Sequence, residues 1–225
     1  FFTLISRILG YLRDILIAFF LGASIFADAF FVAFRLPNTF RRLFAEGTFN
    51  AAFIPSYTSA RIEGKKKGKK FADDILGSLL LILILIVTVV EIFTPYLVYI
   101  IAPGFVENDI KFDLAVELTR ITFPFLLFVS LSSFFSGILN SKNKFAAAAA
   151  APIILNIILI LSLIVSYKLN LNFVKLLSYG VTLSGIVQLI FLFFVTLKFY
   201  KPTLTLKLKA DGKVKLFFKK LLPSI

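Results

Sequence analysis

Cysteine and histidine are both absent from the 225 residues. Without cysteine there is no disulfide and no thiolate nucleophile. Without histidine, imidazole acid/base chemistry and the usual zinc sites fall away. No glycine-rich phosphate loop and no metal-ligand spacing is present. Acidic residues are scarce, 12 against 25 Lys and Arg. Asp28 and Glu46 lie far apart among several arginines and form no convincing acid/base pair. The sequence therefore predicts no catalytic residues, no cofactor and no metal.

What is present is apolar. Hydrophobic residues make up 59% of the chain, and the mean hydropathy is +0.95. Soluble domains sit near about 45–50% apolar. The excess is gathered in runs such as Ile75–Val90 and Ile153–Val165. Runs of that length fit an all-α polytopic membrane protein better than a large soluble core. The pattern predicts membrane-length helices over about 2–21, 26–46, 75–101, 115–139, 149–167 and 176–198. Gly22, Pro103-Gly104, Asn140–Asn143 and Asn170–Asn172 punctuate them. Thr48–Ile62 reads as a further amphipathic piece at the membrane surface, and Ala146–Ala151 as a strong helix former. Residues 1–200 form one transmembrane unit on this reading. Residues 201–225 form a linker and the start of a seventh helix near Lys215. Phe1 is not methionine and already belongs to an apolar helix, so a fragment truncated at both ends is expected.

The formal charge is +13, which raises the question of nucleic acid. Its placement answers it. Arg61 and Lys65–Lys70, then Lys142 and Lys144, then Lys198, Lys201 and the tail lysines fall in alternate loops. The other loops hold only Lys111, Lys168 and Lys175, beside Glu107, Asp109, Asp113 and Glu117. This is the positive-inside pattern for a cytoplasmic N-terminus, beside anionic lipid. Nucleic acid is not a partner.

The first two helices carry charges that pure spans avoid: Arg7, Arg13, Asp14, Asp28, Arg35, Arg41, Arg42 and Glu46. A charge at the centre of a membrane helix costs roughly 2.5–3.5 kcal/mol by insertion scales. On a helical wheel Thr3, Ser6, Arg7, Gly10, Arg13 and Asp14 share an arc of about 120°. Only Ile17 and Leu21, past the last charge, enter it. Asp28, Arg35, Asn38, Arg42 and Glu46 share an arc of about 80° on the second helix, with Arg41 farther round. Pro37 interrupts that helix between Arg35 and Asn38. Arg42 and Glu46 are spaced to pair. Two readings remain at this point. The charges snorkel or form packing salt bridges, such as Arg13 with Asp28. Or they line a polar cavity whose guanidinium forks grip an anionic headgroup. Glu91, Arg120 beside Pro124, Asn156 and Gln188 are weaker candidates; the last two suit interhelical hydrogen bonds.

The charged helices also resemble a known family. Ser6-Arg-Ile-Leu-Gly-Tyr-Leu-Arg-Asp14, Gly22-Ala23, Asp28-Ala-Phe-Phe-Val-Ala-Phe-Arg-Leu-Pro-Asn38, Arg41-Arg-Leu-Phe-Ala-Glu-Gly47 and Ala52-Phe-Ile-Pro55 are similar to the MurJ (MviN) lipid II flippases. Ala102-Pro-Gly-Phe105, Ile121-Thr-Phe-Pro124, Gly137-Ile-Leu-Asn140, Asn143-Lys-Phe145, Ala151-Pro152, Leu155-Asn156 and Gly185-Ile-Val-Gln-Leu189 follow in the same order. The alanine run before Pro152 and the residue Glu91 depart from the family pattern.

The resemblance implies a six-helix N-terminal lobe of the two-lobed multidrug/oligosaccharidyl-lipid/polysaccharide exporter fold. It implies transport in the bacterial cytoplasmic (inner) membrane for peptidoglycan assembly. The substrate would be lipid II, an undecaprenyl-diphosphate-linked disaccharide-pentapeptide. Arg7, Arg13, Arg41 and Arg42 would bind it. Asp28 and Glu46, with Arg35 and Asn38, would gate the cavity or pair charges. Exporters of other lipid-linked oligosaccharides, or a membrane enzyme acting on polyprenyl phosphates, are the alternatives.

Overall fold

A computed structural model describes residues 1–46, 48–203 and 217, without the side chains of Leu36, residues 40–46 and Thr48. The described residues are helical throughout, joined by short turns. Helix α1 spans Phe2–Leu21, α2 Ile25–Glu46, α3 Thr48–Ile62 and α4 Lys65–Ile101. A 3-10 turn, Pro103–Glu107, leads to α5 (Asp109–Thr122), α6 (Phe125–Asn140), α7 (Phe145–Leu169) and α8 (Phe173–Thr196).

The turns follow local chemistry. Gly22 ends α1 at φ +56, a conformation that L side chains rarely adopt. Ser24 Oγ then donates to Leu21 O and accepts from Ala27 N, so it caps α2. Asn170 ends α7 in the left-handed region, and Asn172 Oδ1 accepts from Lys175 N to open α8. Asn108 does the same for α5 through Lys111 N.

Two helices differ from the sequence expectation. The third expected helix, at 75–101, begins ten residues earlier, at Lys65, and runs 37 residues. Its first turns are too charged to register as apolar, yet Lys, Ala and Asp propagate a helix once packing supports it. The expected helix over 115–139 is broken at Phe123-Pro124 into α5 and α6. Pro124 supplies no amide donor, and the amides of Leu126 and Leu127 turn back to Phe123 O and Pro124 O. Thr182 Oγ1 of α8 donates to Ile121 O at the break.

Two further prolines, Pro37 and Pro95, lie inside helices and are answered by side-chain hydroxyls. Pro37 leaves Ala33 O without its helical donor, and Thr122 Oγ1 of α5 donates to it at 2.9 Å. Pro95 leaves Glu91 O open, and Thr94 Oγ1 donates to it at 3.1 Å. Away from water, side-chain hydroxyls are what lets proline persist inside long helices. Phe93, just before Pro95, has non-helical angles, and α4 kinks there.

The helix α3 packs into the bundle through Phe49, Phe53 and Tyr57, one helical turn apart and stacked ring on ring. Phe71 of α4 and Phe134 of α6 meet Phe53. Gly137 lets this happen, because a Cβ there would lie 2.7 Å from the Phe53 ring.

The bundle has two distinct ends. Ser141 of the α6–α7 turn lines one cavity with Arg61 and Lys65, and Lys69 reaches Thr203 beyond α8. The basic loops therefore share one end. At the other, Leu21 and Ser24 share a cavity with Asn172 and Phe173. Among the described residues, four stretches are long and apolar enough to cross a membrane: Lys65–Ile101, Asp109–Asn140, Phe145–Leu169 and Phe173–Thr196. The remaining long helices, α1 and α2, are those that carry the charged arcs. The linker and the start of a seventh helix, read over 201–225, lie outside the described residues from 204 onward except for Phe217, which packs its ring on Phe49 and Phe53.

Candidate functional site: the charged arcs of α1 and α2

The polar arc of α1 divides into two edges. Ser6, Gly10 and Arg13 face α7, where Asn156 stands 5% exposed. Asn156 Nδ2 donates to Ser6 O at 2.9 Å, and Arg13 Nη1 donates to Asn156 Oδ1 at 2.9 Å. Gly10 leaves room for this, since a Cβ there would stand 3.6 Å from the Asn156 amide. Arg7 and Asp14 occupy the other edge and are exposed. Ile17 enters the same arc beyond the last charge and is the buried residue of α1. One edge of the arc thus faces the protein, polar at Ser6, Gly10 and Arg13 and apolar at Ile17. The exposed apolar residues Leu4, Ile8, Tyr11, Ile15 and Phe19 lie on the opposite side.

Arg13 is the best-anchored charge. Its Nε and Nη2 both donate to Asp14 Oδ1, at 2.9 and 2.7 Å. Its side chain is 18% exposed and that of Asp14 is 62% exposed. A guanidinium has five N–H donors. Three of those on Arg13 are used among the described residues, and two remain to meet a ligand.

Asp28 does not pair with Arg13. Its Oδ2 accepts from Lys111 Nζ of α5 at 2.6 Å. Lys111 also lies 4.2 Å from the centroid of the Phe105 ring, a cation–π contact. The suggested Arg13–Asp28 bridge is therefore replaced by two separate pairs, because Asp28 opens α2 at the opposite end from the basic loops while Arg13 sits mid-helix. Arg35 is exposed in the middle of α2, and Asn38 is half-buried beyond Pro37. The α2 backbone continues through Arg41, Arg42 and Glu46. Their side chains, and the expected Arg42–Glu46 pair, lie outside the described residues.

Sequence reasoning missed two members of the site. Lys111 was counted only as a loop charge. Asn156 was read as interhelical glue, which it is, but its partner is the arginine. The available signal was a lone amide in an otherwise apolar helix. Gln188, read alike, bonds within its own helix, to Ser184 O, among the described residues. Glu91 Oε1 has no hydrogen-bond partner among the described residues, and Arg120 is close enough to act on it electrostatically.

Arg13 of α1 is steadied by a carboxylate and an amide, and Asp28 of α2 pairs with the Lys111 ammonium of α5. No group of acidic residues able to hold a metal ion occurs among the described residues.

The family model described as lipid II flippase MurJ matches residues 17–225. The chain belongs to the MurJ family. A probable lipid II flippase MurJ from Rhizobium tropici is 44% identical over 192 residues, 83% of this chain and 36% of that protein. The lipid II flippase MurJ of Burkholderia cenocepacia is 38% identical over 189 residues, 83% of this chain and 36% of its own. A probable lipid II flippase MurJ from Aquifex aeolicus is 35% identical over 222 residues, 97% of this chain and 43% of that protein. A solved structure, lipid II flippase MurJ in an inward closed conformation, superposes with a TM-score of 0.83 at 28% identity, covering 99% of this chain and 46% of that one. The chain spans under half the length of these MurJ relatives. Family and apolar helices together make it part of a multi-pass membrane protein.

Proposed function

We propose that the chain is the N-terminal lobe of a lipid II flippase in the bacterial cytoplasmic membrane, a transporter and not an enzyme. Residues 1–200 make the transmembrane lobe, crossed by α1, α2, α4, the broken α5–α6 pair, α7 and α8. Residues 201–225 lead through a cytoplasmic linker to a seventh helix. The basic end, with the N-terminus, faces the cytoplasm, in keeping with the positive-inside rule.

The charged arcs form one wall of a central cavity, closed by a second lobe of the exporter fold. Arg7, Arg13, Arg41 and Arg42 meet the diphosphate and the sugar–peptide of lipid II. Asp28 and Glu46, with Arg35 and Asn38, gate the route or pair charges, Asp28 with Lys111. The undecaprenyl tail stays in the surrounding lipid, so only the headgroup needs a polar path. Rocking of the lobes exposes the wall to one side of the membrane and then the other.

The observation that carries this reading is Arg13. A guanidinium fixed by Asn156 and Asp14, with N–H donors to spare, is pre-organised for a phosphate. Reconstituting the full-length protein in vesicles loaded with lipid II on one leaflet tests the reading. Lipid II should reach the opposite leaflet; vesicles that move other lipid-linked oligosaccharides but not lipid II would point to a related exporter instead.

A further inference from the structure

Three separate segments each bring a cation to one place at the basic end. Arg61 lies in the last turn of α3, Lys65 opens α4, and Lys142 sits in the turn between α6 and α7. A cavity of about 290 Å³ opens beside Arg61 and Lys65, lined by Tyr57, Thr58, Arg61, Ile62, Lys65 and Ser141, the residue before Lys142. The lining includes no carboxylate. The nearby acids are engaged elsewhere: Glu63 with Lys67 at 3.5 Å, and Asp73 with Lys69 at 2.7 Å.

The cations repel one another. Burial first, then Arg61 and Lys65, hold the Lys142 ammonium below the usual lysine range. Surface lysines ordinarily relieve such repulsion by splaying into water. Here the backbone opposes that. Gly64 turns α3 into α4 at φ +148. Gly68 then lies so close to α3 that a Cβ would stand 2.9 Å from the Arg61 Cα. The end of α3 is thereby seated on the first turns of α4, and Arg61 is held beside Lys65. Hydroxyls of Tyr57 and Thr58 add uncharged donors around the same space.

We propose that this cavity is a binding site for a phosphate-ester headgroup, separate from the arginine arcs of α1 and α2. Converging cations, hydroxyl donors and a carboxylate-free lining are what such a group requires. At the basic end of a membrane bundle the phosphate has two sources: an anionic phospholipid of the same leaflet, or the diphosphate of a polyprenyl lipid. The site does not depend on what the arginine arcs bind.

The test uses full-length protein in phosphatidylcholine nanodiscs, titrated in separate arms with phosphatidylglycerol and with undecaprenyl diphosphate. Wild type is compared with Arg61→Gln/Lys65→Gln/Lys142→Gln and with Lys66→Gln/Lys144→Gln/Lys201→Gln. The second variant removes equal charge from the same end without touching the cavity. The arcs are intact in all three proteins and cancel. The cavity variant should weaken saturable binding about tenfold or more in at least one arm, since each lost charge-assisted bond is a strong one. The charge-matched variant should bind like wild type. The affected arm names the source. Equal affinity of the cavity variant and wild type in both arms, or the same loss in both variants, would overturn the proposal.

Discussion

Arg13 of α1 and Asn156 of α7 meet through a 2.9 Å hydrogen bond, and the same amide donates to Ser6 O. One buried side chain thus holds both a backbone carbonyl and a guanidinium of the neighbouring helix. The contact gives a charge that lipid would penalise a fixed polar partner.

Replacing Asn156 should therefore do two things. Asn156→Leu removes both bonds, and interhelical hydrogen bonds in membranes are worth about 0.6 kcal/mol on average and up to about 1.7. Thermal unfolding in detergent should show a loss of that order, and lipid II transport should fall with it. Gln188→Leu is the contrast. It removes a bond within α8 alone, and should leave transport near wild type.

Thr122 supports the α2 bend by donating to Ala33 O, the carbonyl that Pro37 leaves open. Thr122→Val should cost about 1–3 kcal/mol, the penalty for a buried acceptor without a partner. In a Pro37→Ala background the residue 37 amide can return to Ala33 O. The Thr122→Val cost should shrink there, as a double-mutant cycle on unfolding midpoints will read.

The pair between Lys111 and Asp28 predicts charge-swap behaviour. Asp28 is 56% exposed, so the pair itself is worth only about 0.2–1 kcal/mol. Asp28→Lys should destabilise by repelling Lys111, and Asp28→Lys/Lys111→Asp should recover most of that loss. Transport should stay impaired in the double variant if the carboxylate of α2 also faces substrate. A transport assay beside the unfolding curve separates the two effects.

Where the chain leaves α8, Tyr200 donates to Asp73 Oδ1 and Thr203 N donates to the same oxygen. Burial, and then the bond and charge of Asp73, push the Tyr200 phenol well above its ordinary 10.0. A raised phenol stabilises the fold fully below its unfolded value, and that contribution is lost as pH climbs past about 10. Tyr200→Phe should lower stability at neutral pH by about 0.5–1.5 kcal/mol, the worth of one hydrogen bond. It should also flatten the alkaline fall relative to wild type. Unfolding midpoints between pH 8 and 11 give both readings.

Much of the fold could be read from the sequence because hydropathy and turn chemistry are local. Gly22, Asn170 and Asn172 end or cap the helices where their side chains suggest. The start of α4 could not be read, because Lys65–Lys70 hides a helix that packing against α3 sustains. Nor could the break at Phe123-Pro124, since proline in a membrane helix kinks or breaks according to which hydroxyl answers it, and Thr182 is distant in sequence. The charged arcs were legible as arcs. Their partners were not: no local rule links Arg13 to Asn156 or Asp28 to Lys111, because helix order in the bundle decides both. The Arg13–Asp28 bridge suggested by charge alone was the casualty.

The central claim is that arginines on α1 and α2 carry the headgroup of lipid II. It is tested most directly by the rate at which full-length protein in vesicles moves lipid II between leaflets, wild type against Arg13→Ala/Arg41→Ala. Transport should fall by at least about tenfold, the effect of losing about 1.4 kcal/mol of headgroup binding, while the variant still folds and inserts. Unimpaired translocation by a well-folded double variant would contradict the account.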